Sequence, residues 1–166
     1  MSYLVAAVVL VGLLCALNLL LTFGVIRRLR AQAANAASAA RPPAPTVGST
    51  VQPFTATAVT GEEVSAITLG RAVVAFFDVG CGPCRERLPA FVAAAPRQSR
   101  PVLAVVVGGD TEHPMVTSLL PFASVVVEGH DGVVAKAFGI SSFPTLCAID
   151  EFGVITDTAL DLGALA

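Results

Sequence analysis

Apolar positions are distributed along this chain in two different ways. Residues 4–26 form one long apolar run without a charged side chain. At ~1.5 Å rise per residue, a helix of this length is about long enough to cross the ~30 Å apolar core of a bilayer. Residues 31–50 are rich in Ala and then in Pro, which is typical of a tether. The pattern predicts a transmembrane anchor with a basic flank over residues 1–30, a tether over 31–50 and a folded domain over 51–166.

The folded part alternates strand-like and helix-like segments. Continuous apolar runs at residues 73–77 and 102–107 are typical of strands buried on both faces, and residues 125–127 are a shorter extended candidate. The first helical pattern contains Pro89, where a kink is expected. The spacing of apolar residues predicts helices over residues 82–95, 115–120 and 132–138.

Turn residues predict how the remaining segments connect. Gly61 lies between two short extended segments, residues 54–59 and 64–69. Residues 146–149 and 154–158 are predicted to form a hairpin, since Gly153 supplies the turn between them. Buried strands that alternate with helices and end in a hairpin indicate a three-layer α/β fold with a central mixed sheet.

Charge and composition narrow the function classes. The chain has 166 residues and a net charge of -2, and the predicted domain carries no basic amphipathic stretch, so nucleic acid is not an expected partner.

A cleaved signal peptide is the alternative to a transmembrane anchor over residues 4–26. It would begin with basic residues and have a shorter apolar core, whereas this chain begins Met1, Ser2, Tyr3. A retained anchor in contact with the lipid bilayer through residues 4–26 is therefore the favoured interpretation, and Cys15 is a small apolar residue within it.

A redox dithiol is predicted where the buried strand 73–77 meets the following helix. Cys81, Gly82, Pro83 and Cys84 stand at this junction. A Cys in the first turn of a helix faces free backbone N–H groups and the positive end of the helix dipole, which favour the reactive thiolate. Cys84 follows one turn later, close enough to close a disulfide with Cys81.

A zinc site is the alternative use of two such cysteines. It needs two further ligands, usually a second cysteine pair or a closely spaced histidine pair. Cys147 stands alone in a predicted strand, and His113 and His130 are far apart in the sequence. We therefore expect no metal, and we expect Cys147 to remain a buried thiol.

These residues together resemble the thioredoxin superfamily, and more closely its membrane-tethered members of the TlpA/ResA type. The resemblance covers residues 48–160 and is carried by the segments PFTATAVTGEEVS, VVAFFDVGCGPCRERLPAF, FPT and TLCAIDEFGVI. The apolar leader, the Phe76–Phe77 pair and the lack of Trp before Cys81 look particularly like the MauD branch, whose members are associated with maturation of a methylamine-oxidising system. The resemblance implies a thioredoxin-like fold and a thiol-disulfide oxidoreductase.

The resemblance also implies roles for individual residues. Cys81 matches the exposed attacking cysteine, Cys84 the buried resolving cysteine, and Pro144 a cis proline opposite the dithiol. The backbone at Phe143 would pair with the substrate chain as a short strand. Gly82 and Pro83 would support the turn with little bulk, and Arg85 would add positive potential unless it is an ordinary exposed helix charge.

Three features of the sequence depart from the family pattern. Gly80 replaces the Trp that often precedes the first cysteine, and Ala75 occupies the place of a buried acid that assists proton transfer in thioredoxins. Asp78 and Glu86 are the nearest acids. Either could assist proton transfer through water, but a turn residue and a solvated helix charge are the favoured interpretations. The C-terminal helix is also abbreviated to residues 161–166, so one sheet face is expected to lean on the membrane, the tether or a partner.

Two features give opposite indications of the side of the membrane on which the folded domain lies. Arg27, Arg28 and Arg30 follow the apolar run, which by the positive-inside tendency favours a cytoplasmic domain. The family resemblance implies an extracytoplasmic domain, and we give it slightly more weight.

The leading hypothesis for function is a membrane-anchored reductant or maturation factor without a cofactor. Its partners would be a disulfide-containing protein substrate and an upstream thiol electron donor. A binding or chaperone-like module without turnover is the second hypothesis. A peroxide-reducing protein is the third, although the Thr/Cys arrangement of such sites is not found in the sequence.

Overall fold

A computed structural model describes residues 45–160 and 162–164, together with six helical and exposed positions near the N-terminus (Tyr3, Val5, Gly12, Leu13, Cys15 and Asn18). Most of the predicted anchor at residues 4–26, its basic flank and most of the tether lie outside the described residues. No helix within the described part is both long and apolar enough to cross a membrane. By its contacts the chain divides into two units, residues 1–41 and 42–166.

A five-stranded mixed sheet organises the second unit. Its strands, in spatial order, are β5 (Ser124–Glu128), β4 (Val102–Val107), β3 (Ala72–Asp78), β6 (Thr145–Ile149) and β7 (Ile155–Ala159). Strands β3, β4 and β5 run parallel, whereas β6 is antiparallel to both β3 and β7. This confirms the predicted central mixed sheet.

Helices cover the sheet on both faces. On one face lie α2 (Gly82–Ala94), which continues as a 3-10 turn at Ala95–Arg97, and α3 (Pro114–Leu119). On the other lie α4 (Val133–Ala137) and a small antiparallel pair formed by β1 (Thr55–Thr57) and β2 (Glu63–Ser65). The predicted helices are therefore present with slightly different ends, and Pro89 lies inside α2.

Strand β3 separates two apolar clusters because its side chains alternate between the sheet faces. Val73, Ala75 and Phe77 pack toward α2 and α3, whereas Val74 and Phe76 pack toward α4. All five are buried, which explains why this segment is a continuous apolar run in the sequence.

The prediction of an extended segment over residues 64–69 is wrong in its second half. Residues Ala66–Leu69 form a short helix, α1. Ser65 is its N-cap: the Ser65 hydroxyl accepts from the Thr68 N–H at 3.1 Å, and Thr68 Oγ1 accepts from the Ser65 N–H at 2.9 Å. A reciprocal cap of this kind starts a helix even where β-branched residues favour a strand.

The hairpin of β6 and β7 has the predicted turn. Asp150 Oδ1 accepts from the N–H groups of Phe152 and Val154, and Gly153 takes a left-handed conformation with φ 73°. The segment before residue 51 joins this end of the sheet, since the Gly48 N–H donates to the Ile155 carbonyl at 2.8 Å.

The chain after β7 covers part of one sheet face by itself. Residues Leu162–Ala164 form a 3-10 turn, and Leu162 is buried in the cluster beneath α2. A cleft of about 270 Å³ remains between this turn, α2 and the sheet, lined mainly by Phe77, Phe91, Leu146, Leu160 and Leu162.

Candidate active site

Cys81 is the N-cap residue of α2, at the carboxyl end of β3. Its backbone is extended (φ -81°, ψ 117°), and its sulfur accepts from the Cys84 N–H at 3.3 Å. Pro83 is the second residue of the helix, where its missing N–H leaves no helical hydrogen bond unmade. Cys81 Sγ thus lies at the free N–H groups that begin the helix, at the positive end of the helix dipole.

Cys81 also contacts the loop before β6. Its Sγ donates to the Phe143 carbonyl at 3.4 Å, across 62 positions of sequence. The Phe143–Pro144 peptide bond is cis, as the family resemblance implies. Thr145 Oγ1 donates to the Ser142 carbonyl at 2.7 Å and ties the loop to the start of β6. The loop therefore presents the Phe143 backbone directly beside a half-exposed sulfur.

Cys84 lies behind Cys81 and is fully buried. The pKa of this thiol is raised to about 12, chiefly by burial and to a smaller extent by its hydrogen bond with Cys81 and by the negative charge of Asp78. The Asp78 N–H donates to Cys84 Sγ at 3.5 Å and opposes these effects in part. The pair is therefore asymmetric: one sulfur is accessible and one is shielded.

The residues predicted to support the dithiol lie in the first turns of α2. Gly82 and Pro83 form the first turn of α2, and a Cβ added at Gly82 would meet no atom within 4 Å. Arg85 is exposed, and its Nη1 donates to the Val79 carbonyl at 3.4 Å. Glu86 is exposed on the helix, which agrees with a solvated charge.

The structure gives Asp78 more contacts than the sequence indicated. Its Oδ1 accepts from the Gly80 N–H at 2.7 Å, which is the predicted turn role, and its Oδ2 lies 3.4 Å from His130 Nδ1. The sequence motifs do not indicate this contact between Asp78 and His130. The contact could have been predicted from the order of the strands. Asp78 ends β3, His130 follows β5, and parallel strands end at the same edge of the sheet.

Cys147 lies on the opposite face of the sheet from Cys84. It faces Val74 across the β3–β6 ladder and packs in the cluster beneath α4. Burial alone raises the pKa of this thiol to about 12. Among the described residues, no group of three His, Cys, Asp or Glu side chains could hold a metal ion.

A mixed sheet with this strand order, a dithiol at the start of α2 and a cis proline opposite it define the thioredoxin-like fold. No protein-family model matches the sequence, and no curated protein matches it either. Solved structures do match, and the first two named below are described as a thiol-disulfide oxidoreductase and a thiol:disulfide interchange protein.

The thioredoxin domain of a thiol-disulfide oxidoreductase from Bacteroides vulgatus is 21% identical with a TM-score of 0.56, over 72% of this chain and 92% of that one. A thiol:disulfide interchange protein from Bacteroides sp. is 21% identical with a TM-score of 0.57, over 74% of this chain and 87% of that one. DsbF of Mycobacterium tuberculosis, solved in mixed oxidised and reduced forms, is 20% identical with a TM-score of 0.54, over 69% of this chain and 87% of that one. At these identities the likeness shows the fold.

Proposed function

We propose that this chain is a thiol-disulfide oxidoreductase that exchanges disulfides with protein substrates through Cys81 and Cys84. The observation that carries the proposal is the arrangement of the two sulfurs. Cys81 is half-exposed at a helix start beside the Phe143 carbonyl, and Cys84 is buried directly behind it. A zinc site would need further ligands near the pair, and among the described residues none are grouped there.

The reaction follows from this asymmetry. The Cys81 thiolate attacks one sulfur of a substrate disulfide, and the other substrate sulfur leaves as a thiolate. Cys84 then attacks Cys81 Sγ, the bond between Cys81 and the substrate breaks, and the second substrate sulfur leaves. Two electrons pass from the dithiol to the substrate. A thiol electron donor must afterwards reduce the Cys81–Cys84 disulfide.

Substrate recognition would use the loop before β6. An extended substrate segment can pair with the Phe143 backbone as an added strand, which brings its disulfide to Cys81. Recognition of this kind reads main chain more than side chains, so several different proteins can be substrates.

Insulin reduction by the full-length chain tests the activity. Wild-type protein should accelerate the precipitation of reduced insulin in the presence of dithiothreitol, and Cys81→Ser should not exceed the uncatalysed rate. Equal rates for the two proteins would instead favour a binding module that retains the fold without turnover. Peroxide consumption, measured with the same two proteins, tests the antioxidant alternative.

We also propose that residues 4–26 anchor the chain in a cell membrane and that the domain lies outside the cytoplasm. The uncharged run supports the anchor, and the resemblance to TlpA/ResA-type proteins supports the side, against the indication from Arg27, Arg28 and Arg30. The chain should resist carbonate extraction from membranes. Protease should remove the domain from cells whose cytoplasmic membrane is still closed to the protease. A mature N-terminus between residues 15 and 45 would identify a cleaved signal instead.

The finer assignment is a reductant that matures exported redox enzymes, as the likeness to the MauD branch suggests. Its substrates would then be exported dehydrogenases or cytochromes that carry cysteine pairs. Identification of the proteins captured by a Cys84→Ser variant tests this assignment directly, and capture of cytoplasmic proteins alone would contradict it.

A further inference from the structure

Val79 is fixed between the sheet and the dithiol helix. It follows β3 directly and stands two residues before Cys81. Its N–H donates to the Val107 carbonyl at 3.1 Å, one hydrogen bond beyond the last residue pair of β3 and β4. Its carbonyl accepts from Arg85 Nη1 at 3.4 Å, so a side chain of α2 returns to the same residue. The backbone of Val79 is therefore held from both sides.

Two consecutive glycines after β4 lie against the side chain of Val79. A Cβ added at Gly109 would lie 2.9 Å from Val79 Cγ1, well inside the ~3.5–4.0 Å at which nonbonded carbon atoms pack. A Cβ added at Gly108 would lie 3.5 Å from Val79 Cγ2. Val79 thus packs with both methyl groups toward the glycine backbone, and a side chain at Gly109 would displace it.

The side chain of Val79 has little freedom to avoid such a displacement. Val79 is branched at Cβ, so its rotation about χ1 is restricted. It is half-buried and packs against the apolar cluster beneath α2 and α3. A methyl group added at Gly109 would therefore shift the backbone of residues 79–81 and not the valine side chain alone.

The turn between Val79 and Cys81 transmits such a shift to the reactive sulfur. The Gly80 N–H donates to Asp78 Oδ1 at 2.7 Å, and the Cys81 N–H donates to the Asp78 carbonyl at 3.1 Å. Cys81 Sγ lies 3.4 Å from the carbonyl oxygen of Phe143, the residue with which a substrate strand would pair. Because the turn is tightly bonded, the position of Val79 sets the position of Cys81 Sγ relative to that backbone.

We propose that Gly109 and Val79 are positioning residues for Cys81. The glycine leaves room for the valine, and the valine holds the reactive sulfur beside the Phe143 backbone. This inference rests on the proposed function, because the alignment matters only when a substrate chain pairs there. A misplacement of about 1 Å can slow a reaction on the order of 10²-fold. The alignment matters most for a substrate chain held by Phe143 and least for a small disulfide, which approaches the sulfur freely.

Two disulfides with the same leaving group separate alignment from reactivity. One is an extended peptide whose single cysteine is linked to nitrothiobenzoate, and the other is 5,5′-dithiobis(2-nitrobenzoate). The reduced full-length chain carries Cys15→Ser and Cys84→Ser, so that attack by Cys81 is the step observed. A bond forms between Cys81 Sγ and one sulfur, the S–S bond breaks, and nitrothiobenzoate leaves with its electron pair. Stopped-flow absorbance measures this release at several concentrations of each disulfide.

Gly109→Ala should lower the maximal rate with the peptide roughly tenfold, because the sulfur moves by less than about 1 Å. The peptide concentration that gives half of the maximal rate should stay the same, since the strand site at Phe143 is intact. The rate with the small disulfide should also stay the same. Gly109 does not have a left-handed backbone, so this substitution adds only the methyl group.

Gly129→Ala is the matched control. Gly129 follows β5 at the same edge of the sheet, and a Cβ there would meet no atom within 4 Å. This variant should change neither rate.

Removal of the opposing methyl groups tests the contact itself. Val79→Ala lacks both Cγ atoms and leaves space for the methyl group that Gly109→Ala adds. Val79→Ala alone should slow the peptide reaction and not that of the small disulfide. The double variant should react with the peptide faster than Gly109→Ala alone, a coupling that independent sites do not show.

Three results would overturn the inference. They are an unchanged peptide rate in Gly109→Ala, an equal slowing with both disulfides, and no recovery in the double variant. If Gly109→Ala does not fold, Val79→Ala still decides, because an unchanged ratio of its two rates would show that Cys81 does not need the valine. Failure of the proposed function is distinct: without substitution at Gly109 or Val79, Cys81 would then react with the peptide no faster than free cysteine does.

Discussion

The two faces of the central sheet each bury one cysteine. A comparison of the two shows that burial alone does not make a thiol part of a redox site. Cys84 and Cys147 are both fully buried, and burial raises the pKa of each thiol to about 12. Cys84 lies on the face covered by α2 and α3, and Cys147 on the face covered by α4. The same loss of solvent therefore acts on both thiols.

Their neighbours differ. Cys84 lies beside the Cys81 sulfur, and its own sulfur accepts from the Asp78 N–H at 3.5 Å. Cys147 has apolar neighbours such as Val74 in the cluster beneath α4, and burial is the one cause of its raised pKa. A buried thiol becomes part of a redox site when a second sulfur and hydrogen-bonding groups reach it, and it is otherwise a small apolar core residue.

The largest expected difference is in substrate capture. Cys84→Ser should accumulate mixed disulfides with substrate proteins, because attack by Cys81 succeeds and release fails. Cys81→Ser should capture almost nothing, and Cys147→Ser should behave as wild type. Non-reducing gels of extracts from cells that express each variant measure the amount of mixed disulfide. Equal capture by the Cys81 and Cys84 variants would show that the attacking cysteine is wrongly assigned.

Oxidation should form a disulfide on one face of the sheet and leave the cysteine on the other face unchanged. The Cys81–Cys84 disulfide should form reversibly, and Cys147 should remain a thiol, since the sheet separates it from both. Differential alkylation of unfolded protein after oxidising or reducing treatment, followed by mass mapping, tests this. A disulfide from Cys147 to either residue would refute the arrangement of the two faces.

Substitutions at two neighbouring residues of β6 compare how much each sheet face contributes to stability. Leu146 and Cys147 are both buried, on opposite faces. Leu146→Ala should lower the free energy of unfolding by about 2–5 kcal/mol, because it leaves a cavity next to the dithiol helix. Cys147→Ala removes one sulfur and should cost about 1 kcal/mol. Urea unfolding of the reduced proteins measures both, and a larger loss for Cys147→Ala would contradict this packing.

The smallest effect concerns alkaline pH. Because the folded pKa of Cys147, about 12, lies above the 9.0 of a solvated thiol, the unfolded chain loses this proton first as the pH rises. Stability linked to this group is complete below pH 9 and is lost as the pH rises toward 12. The stability difference between reduced wild type and Cys147→Ala should therefore fall by roughly 1 kcal/mol per pH unit above pH 9.

Urea unfolding at several pH values between 8 and 10.5 gives this difference. A difference that does not change with pH would mean that Cys147 is solvated in the folded protein. Oxidised protein should lose less stability than reduced protein over the same range, because the Cys84 thiol no longer titrates.

The sequence by itself determined the elements whose signals are local. The apolar run 73–77, the turn at Asp150–Gly153 and the dithiol at a helix start depend on periodicity, turn chemistry and capping within a few residues. Residues 66–69 were wrongly predicted although the cap at Ser65 is local, because the β-branched residues of that segment favoured a strand. Pro144 required the family resemblance, since most bonds before proline are trans.

Only the tertiary structure decided which distant residues meet. The contact of Cys81 with Phe143, the approach of His130 to Asp78, and the separation of Cys147 from Cys84 each depend on strand order and register. A shift of one residue in the register of β6 would move Cys147 to the dithiol face. Register is set by the summed packing of both sheet faces, and no short stretch of sequence contains that information.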